Sequence, residues 1–271
     1  MPSEYTNFCP KKIVITDLPC GSGKTSKMIR TLKSDKLYLI VVPLLSEVKR
    51  VLDGTSHLDF EEPVKSTKEF GTKRAALLEL ILQRKSIVTT HQLYSDIGHL
   101  AAQGFLKNYN VIIDEVPGVI DVVKSLSRRS VDEFYINSGY LDVSQDGLCT
   151  VTSKWDSLFD VVSDTIDPSI KRYAQASNLY VCKQGTFITA LSKLLFSGCA
   201  SVEVLTYKSE GSYFLKYLEK MNLPYELKID DALEADFKEK ALKLITFADT
   251  FALEKVNFTY CKQTKYSEQS K

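Results

Sequence analysis

The sequence predicts a doubly wound α/β fold on a mostly parallel sheet, and three observations carry that prediction. Short apolar runs rich in Ile, Val and Leu alternate with longer amphipathic segments over the first half of the chain. The runs are apolar on both faces, as strands covered on two sides must be. A glycine-rich turn ending in Lys-Thr follows the first run directly. In such a sheet a ligand sits at the carboxyl ends of the strands, where this turn already lies.

Strands are expected at residues 12–16, 37–42, 86–90 and 111–113. Between them, residues 25–33 place Met28, Ile29 and Leu32 on one side of a helix. A second helix, 44–52, follows Pro43, and a third, 73–83, carries Leu77, Leu78, Leu80 and Ile81. Residues 53–65 hold the turn formers Asp53-Gly54 and Glu61-Glu62-Pro63 and read as a surface loop. Residues 117–153 are irregular, with Arg128, Arg129, Tyr135 and Tyr140 set among turn residues such as Asn137-Ser138-Gly139. They read as an insertion after the fourth strand. Regular structure is expected again at 155–166, 178–182, 201–206 and 212–221, with Trp155, Leu158, Phe159, Val161 and Val162 on one apolar helical face. Residues 1–230 therefore form one lobe and 231–271 a C-terminal extension, in which 242–247 could open a second lobe as a strand. The polar residues 263–271 are expected to fray.

A chain of 271 residues with 44% hydrophobic content buries a sizeable core. Lys and Arg number 35 against 34 Asp and Glu, so no global field favours nucleic acid and any such case rests on local motifs. Six cysteines stand at 9, 20, 149, 182, 199 and 261 with no Cys-x-x-Cys pair and no histidine at ligand spacing. That argues against a zinc site or disulfide framework and for a reducing compartment. The longest apolar stretch, 37–45, is too short for a bilayer, and the N-terminus lacks a signal pattern. A soluble cytoplasmic protein without a membrane partner is expected.

The turn Gly21-Ser22-Gly23-Lys24-Thr25-Ser26 has the order that phosphate chemistry wants. Backbone N–H groups of such a loop surround a phosphate, and the following helix adds its positive end. Lys24 would reach the β- and γ-phosphates of ATP, and the Thr25 hydroxyl would hold Mg2+. The full phosphate-loop pattern has a glycine where this chain has Leu18. The run Val111-Ile112-Ile113 ends in Asp114-Glu115, whose side chains diverge at a strand end. Asp114 would bind the Mg2+, and Glu115 would orient or deprotonate an attacking water.

Together, Gly21-Ser22-Gly23-Lys24-Thr25 and Asp114-Glu115-Val116 resemble motifs I and II of superfamily 2 helicases, the DEAD-like group. Val41-Val42-Pro43-Leu44-Leu45 resembles motif Ia, which touches the nucleic-acid backbone, and Val88-Thr89-Thr90-His91-Gln92 resembles the segment before motif II. The likeness is to the helicase-like proteins of large DNA phages and viruses and covers roughly residues 10–230, one RecA-like lobe. It implies an ATP-binding, ATP-hydrolysing domain acting on DNA or RNA, in the host cytoplasm if viral. Pro43, Leu44, Thr89, Thr90 and His91 would then face nucleic acid, with Lys49 and Arg50 as phosphate contacts. His91 could equally bond a backbone carbonyl. Thr206, in Val202–Tyr207, is the candidate for coupling hydrolysis to movement, although the family's Ala-Thr is missing there. Tyr5 or Phe8 could stack on adenine.

A superfamily 2 motor has a second lobe that supplies arginines to the ATP site. Nothing after Glu210 resembles such a segment, and residues 172–271 contain a single arginine, Arg172. The implication is a domain incomplete as a motor, whose arginine comes from a second lobe or a partner protein. A nucleoside or nucleotide kinase and a non-hydrolysing nucleotide-binding regulator remain as alternatives.

Overall fold

The computed structural model describes residues 12–65, 71–156 and 166–245. Its strands are β1 Ile13–Asp17, β2 Tyr38–Val42, β3 Phe60–Glu61, β4 Ser86–Thr90, β5 Asn110–Asp114, β6 Ile120–Ser125, β7 Leu141–Val143, β8 Cys149–Val151, β9 Leu179–Val181, β10 Thr186–Ala190, β11 Ser201–Thr206 and β12 Tyr225–Ile229. Seven of them form one sheet in the order β12-β1-β11-β5-β2-β4-β3, and every pairing in it is parallel. This is the α/β architecture of a RecA-like lobe, and its strands all end on one edge. The edge strand β3 lies inside the expected 53–65 loop, where Phe60 stacks on Tyr38 with ring centroids 6.2 Å apart.

Period-two alternation lets each central strand feed two cores. Leu39, Val41, Val111, Ile113 and Val204 enter the core on one face with Ile13, Ile15 and Ile87. Tyr38, Ile40, Val42, Val88, Ile112 and Leu205 enter the core on the other, against Met28, Val48 and Val51. Those last three come from α1 (Lys24–Thr31) and α2 (Leu45–Gly54). Helix α3 (Lys73–Leu82) starts at Thr72, whose hydroxyl accepts the Ala75 N–H at 3.1 Å, and adds Leu77, Leu80 and Ile81 to the first core.

The excursion expected at 117–153 is larger and more regular than the sequence implies. It leaves the lobe after Val119 and returns at Leu191, whose N–H donates to the Val119 carbonyl at 3.0 Å. Between these points β6, β10 and β9 form an antiparallel sheet and β7 pairs with β8. Val131, Tyr135, Leu141, Cys149, Trp155, Ile170 and Phe187 make a separate core there. Strand β6 is mostly exposed and pairs with β10 from Ile120↔Ala190 to Ser125↔Thr186. A solvated strand with so distant a partner leaves little local signature. Trp155 is in that core as expected, while Leu158, Phe159, Val161 and Val162 lie outside the described residues.

The chain divides into two compact units, Met1–Asp230 and Asp231–Lys271. In the second, Asp231–Leu244 is a helix, so residues 242–244 are not a strand. Asp231 and Glu234 begin it and Lys243 ends it, matching the helix dipole. Lys238–Glu234, Lys240–Asp236 and Lys243–Glu239 pair one turn apart along it. Residues 246–271, the fraying segment 263–271 included, lie outside the described residues. No helix among the described residues is long and apolar enough to cross a membrane.

Candidate functional site

Strand β1 runs straight into the glycine turn, and the turn is tied back to the sheet where the Leu18 N–H donates to the Thr206 carbonyl at 3.0 Å. Gly21 and Gly23 have φ of 75° and 78°, a left-handed conformation that a side chain disfavours. A Cβ on either would meet no protein atom within 4 Å, so conformation rather than crowding selects glycine there. Gly23 is the N-cap of α1 and its carbonyl accepts the Lys27 N–H at 2.8 Å, so the N–H groups ahead of Lys27 have no partner within the helix. The enclosed Ser22 hydroxyl also lacks a partner among the described residues. A loop with these open donors fits an anionic ligand. Lys24 Nζ lies over the turn, donating to the Leu18 and Pro19 carbonyls at 2.7 and 3.1 Å.

Two distant motifs meet at one oxygen. The Thr25 hydroxyl, one residue into α1, donates to Asp114 Oδ2 at the end of β5 at 2.7 Å. Asp114 is buried, at 6% exposure. The Arg50 guanidinium lies 3.8 Å from the same oxygen and 2.6 Å from Glu47 on its own helix. Among the described residues no three His, Cys, Asp or Glu side chains gather as a metal cage. The pair Thr25 and Asp114 could hold Mg2+, which takes few protein ligands and fills its octahedron with phosphate oxygens and water.

Glu115 diverges from Asp114. Its φ is +64°, a conformation that costs roughly 1–2 kcal/mol outside glycine. The sheet still holds it, since its N–H donates to the Leu205 carbonyl at 2.8 Å. Glu115 is exposed and lines a cleft of about 890 Å³. The cleft wall brings together Gly21, Gly23, Lys24, Thr25 and Ser26 with Asp114, Glu115 and Thr206. Pro43, Leu44 and Arg50, expected beside nucleic acid, line this same cleft.

The residues expected before motif II are placed differently from one another. Thr89 is only 2% exposed, which removes its hydroxyl from the surface. Thr90 precedes the short helix His91–Ser95 at its N-cap position without a side-chain capping hydrogen bond. His91 Nε2 donates to the Asp114 carbonyl at 2.9 Å, which defines its tautomer. Burial holds the His91 pKa below its ordinary value, so the ring is neutral near pH 7. The carbonyl alternative raised by the sequence is thus the contact present, and it ties β4 to the acid-bearing end of β5. Tyr5 and Phe8 lie outside the described residues.

Sequence reasoning missed Asp17. This buried carboxylate accepts the Lys208 N–H at 2.8 Å, the Ser209 N–H at 2.7 Å and the Ser209 hydroxyl at 2.6 Å. It clasps the turn after β11 against the strand that feeds the glycine loop. An acid closing an apolar strand immediately before Gly-x-Gly-Lys-Thr was the available signal.

No family model matches this chain. A curated relative, the "SPbeta prophage-derived uncharacterized protein YonV" of Bacillus subtilis (strain 168), is 23% identical over 231 residues. A solved structure described as "XPD_APO" aligns with a TM-score of 0.40 at 14% identity. Each match covers 80% of this chain, which spans about half, 54%, of the relative's length and of that structure's.

Proposed function

We propose that residues 1–230 are a nucleotide-binding, helicase-like domain that binds ATP with Mg2+ and hydrolyses it while acting on DNA or RNA. Residues 231–271 are an extension of that domain. The observation that carries the reading is the 2.7 Å hydrogen bond from Thr25 Oγ1 to Asp114 Oδ2. It unites the hydroxyl and the carboxylate that an Mg2+–triphosphate complex requires, from segments 89 residues apart.

In this reading the loop N–H groups hold the phosphates, and Lys24 leaves the Leu18 and Pro19 carbonyls for the β- and γ-phosphate oxygens. Mg2+ neutralises charge on the transferring phosphoryl group when bound. Glu115, exposed in the same cleft, orients the attacking water and takes its proton. The Asp17 clasp keeps the Thr206 strand end against the loop, and His91 supports the Asp114 carbonyl. The relative is prophage-derived; a role in phage nucleic-acid replication, in the host cytoplasm, is part of the same proposal.

Phosphate release from ATP, measured with and without single-stranded DNA or RNA, tests this. Lys24→Ala is expected to abolish nucleotide binding. Glu115→Gln is expected to keep binding and slow turnover about 100-fold or more. A wild-type protein that does not bind ATP, with Lys24→Ala indistinguishable from it, overturns the reading.

A further inference from the structure

Helix α2 carries Arg50 where the sequence places a nucleic-acid contact, yet the guanidinium reaches into the nucleotide cleft. It stands 3.8 Å from Asp114 Oδ2, the oxygen that also accepts the Thr25 hydroxyl. That separation is too long for a hydrogen bond, so Arg50 is near Asp114 without being locked to it. Its close partner is Glu47 at 2.6 Å, one turn earlier on the same helix. The Arg50 side chain is 52% exposed, against 9% for Asp114, so the arginine is the partner able to move.

The other arginines lie away from this cleft. Arg128 and Arg129 pair with Asp132 and Glu133, and Arg172 lies over the Tyr173 ring. Arg30 donates to the Ser26 carbonyl, and Arg74 and Arg84 do not line this cleft. Among the described residues, Arg50 and Lys24 are the cations that line it.

Resting on the ATPase reading above, we infer that Arg50 is a catalytic arginine supplied in cis, contacting the terminal phosphate of the bound nucleoside triphosphate. Hydrolysis by this chain therefore needs no arginine from a second lobe or a partner. The electrostatics favour the move. With Asp114 and Thr25 holding a divalent cation, the guanidinium would be repelled from that oxygen and drawn to the polyanionic triphosphate. The planar fork of donors suits two phosphate oxygens at once, and Glu47 limits its excursion to the cleft. During hydrolysis the water oxygen bonds to the γ-phosphorus as the bond to the β–γ bridging oxygen breaks. The bond's electrons stay with ADP, and the water proton passes to Glu115. Arg50 balances the charge spread over the equatorial oxygens of the phosphoryl group.

The competing role is a structural clamp of α2 onto β5, and the test separates the two. Single-turnover and steady-state phosphate release by the full chain are measured for wild type, Arg50→Ala, Arg50→Lys and Glu47→Gln, with Lys24→Ala as control. Fluorescent ATP-analogue affinity and thermal melting are read in parallel. Arg50→Ala is expected to lose about 100-fold or more in rate with analogue affinity within about threefold of wild type. Millimolar guanidinium ion restores part of that rate, and does so less for Arg50→Lys, whose ammonium fills the space. Glu47→Gln keeps the arginine but loosens it, and slows turnover less than about tenfold.

Wild-type turnover by Arg50→Ala overturns the inference, as does a rate loss matched by lost affinity. A wild type that binds nucleotide but hydrolyses it only with added partner protein overturns it too. If Arg50→Ala melts early, Arg50→Lys decides: folded and slow supports a catalytic arginine, folded and fast removes it. Loss of activity in Lys24→Ala with full activity in the Arg50 variants rejects this inference alone. Absence of nucleotide binding by the wild type rejects the underlying reading as well.

Discussion

The parallel sheet and the antiparallel module at 120–190 lie in one chain but are built by opposite means. In the sheet, β2 is buried at all five positions, and neighbouring strands place residues alternately in two cores. In the module, β6 faces solvent over most of its length, and the core includes an aromatic cluster, with the Tyr135 ring centroid 6.0 Å from that of Trp155 and 5.3 Å from that of Phe187. The cleft residues all come from the sheet, its helices and the turns after its strands. The module begins beyond Val119, only a few residues past Glu115, and contributes none of them. Chemistry and elaboration are separated in the fold, although they touch in the sequence.

The strongest way to break that comparison is Tyr135→Ala. It empties the centre of the module and also removes the hydroxyl that accepts the Asp167 N–H at 3.1 Å. A loss of about 3–5 kcal/mol is expected for truncating so large a buried ring. Trp155 is the single tryptophan of the chain, so its fluorescence reports on the module. Urea unfolding followed by that fluorescence should shift to low denaturant, with affinity for an ATP analogue unchanged. A parallel fall in affinity would show that the two regions are not separate.

Asp17→Ala is the reciprocal change in the sheet. It leaves the buried Ser209 N–H and hydroxyl without their acceptor, at a cost of about 1–3 kcal/mol. Far-UV circular dichroism should report early unfolding while the Trp155 signal lags behind it. Coincident transitions would instead mean that lobe and module unfold as one.

The smallest effect concerns His91. Because burial holds its pKa below the ordinary 6.5, the unfolded chain takes up a proton there more readily than the folded one. Its contribution to stability is complete above pH 6.5 and is lost as pH falls below that value. His91→Gln, which keeps a donor for the Asp114 carbonyl, should lose less melting temperature than wild type between pH 7.5 and 5.5. Equal losses would remove His91 as the source.

What could be read in advance divides along the same line. Strands β1, β2, β4 and β5 and the turn at Gly21–Thr25 lie within a residue or two of where their apolar runs put them, because buried parallel strands and a glycine turn are written locally, whereas the two-residue β3 lies inside an expected loop. Asp114 and Glu115 were legible for the same reason: adjacent acids at a strand end must diverge. The module was not. Its ladder joins Ile120 to Ala190, and a solvated β6 carries no apolar alternation to announce it. Arg50 was legible as a cation on α2 but not as part of the cleft. The direction of a side chain on a helix depends on how that helix is rotated against the sheet, and here Val48 and Val51 decide the rotation by packing in the core beneath.

By itself, then, the sequence determined the fold class, the glycine loop and the pair of acids, since each is a pattern over a few consecutive residues. Only the tertiary structure decided that Thr25 meets Asp114, that Asp17 clasps the turn beyond β11, and that Arg50 joins the cleft. These are meetings across the sheet. Strand order and helix rotation set them, and both follow from which apolar faces bury one another rather than from any local spacing.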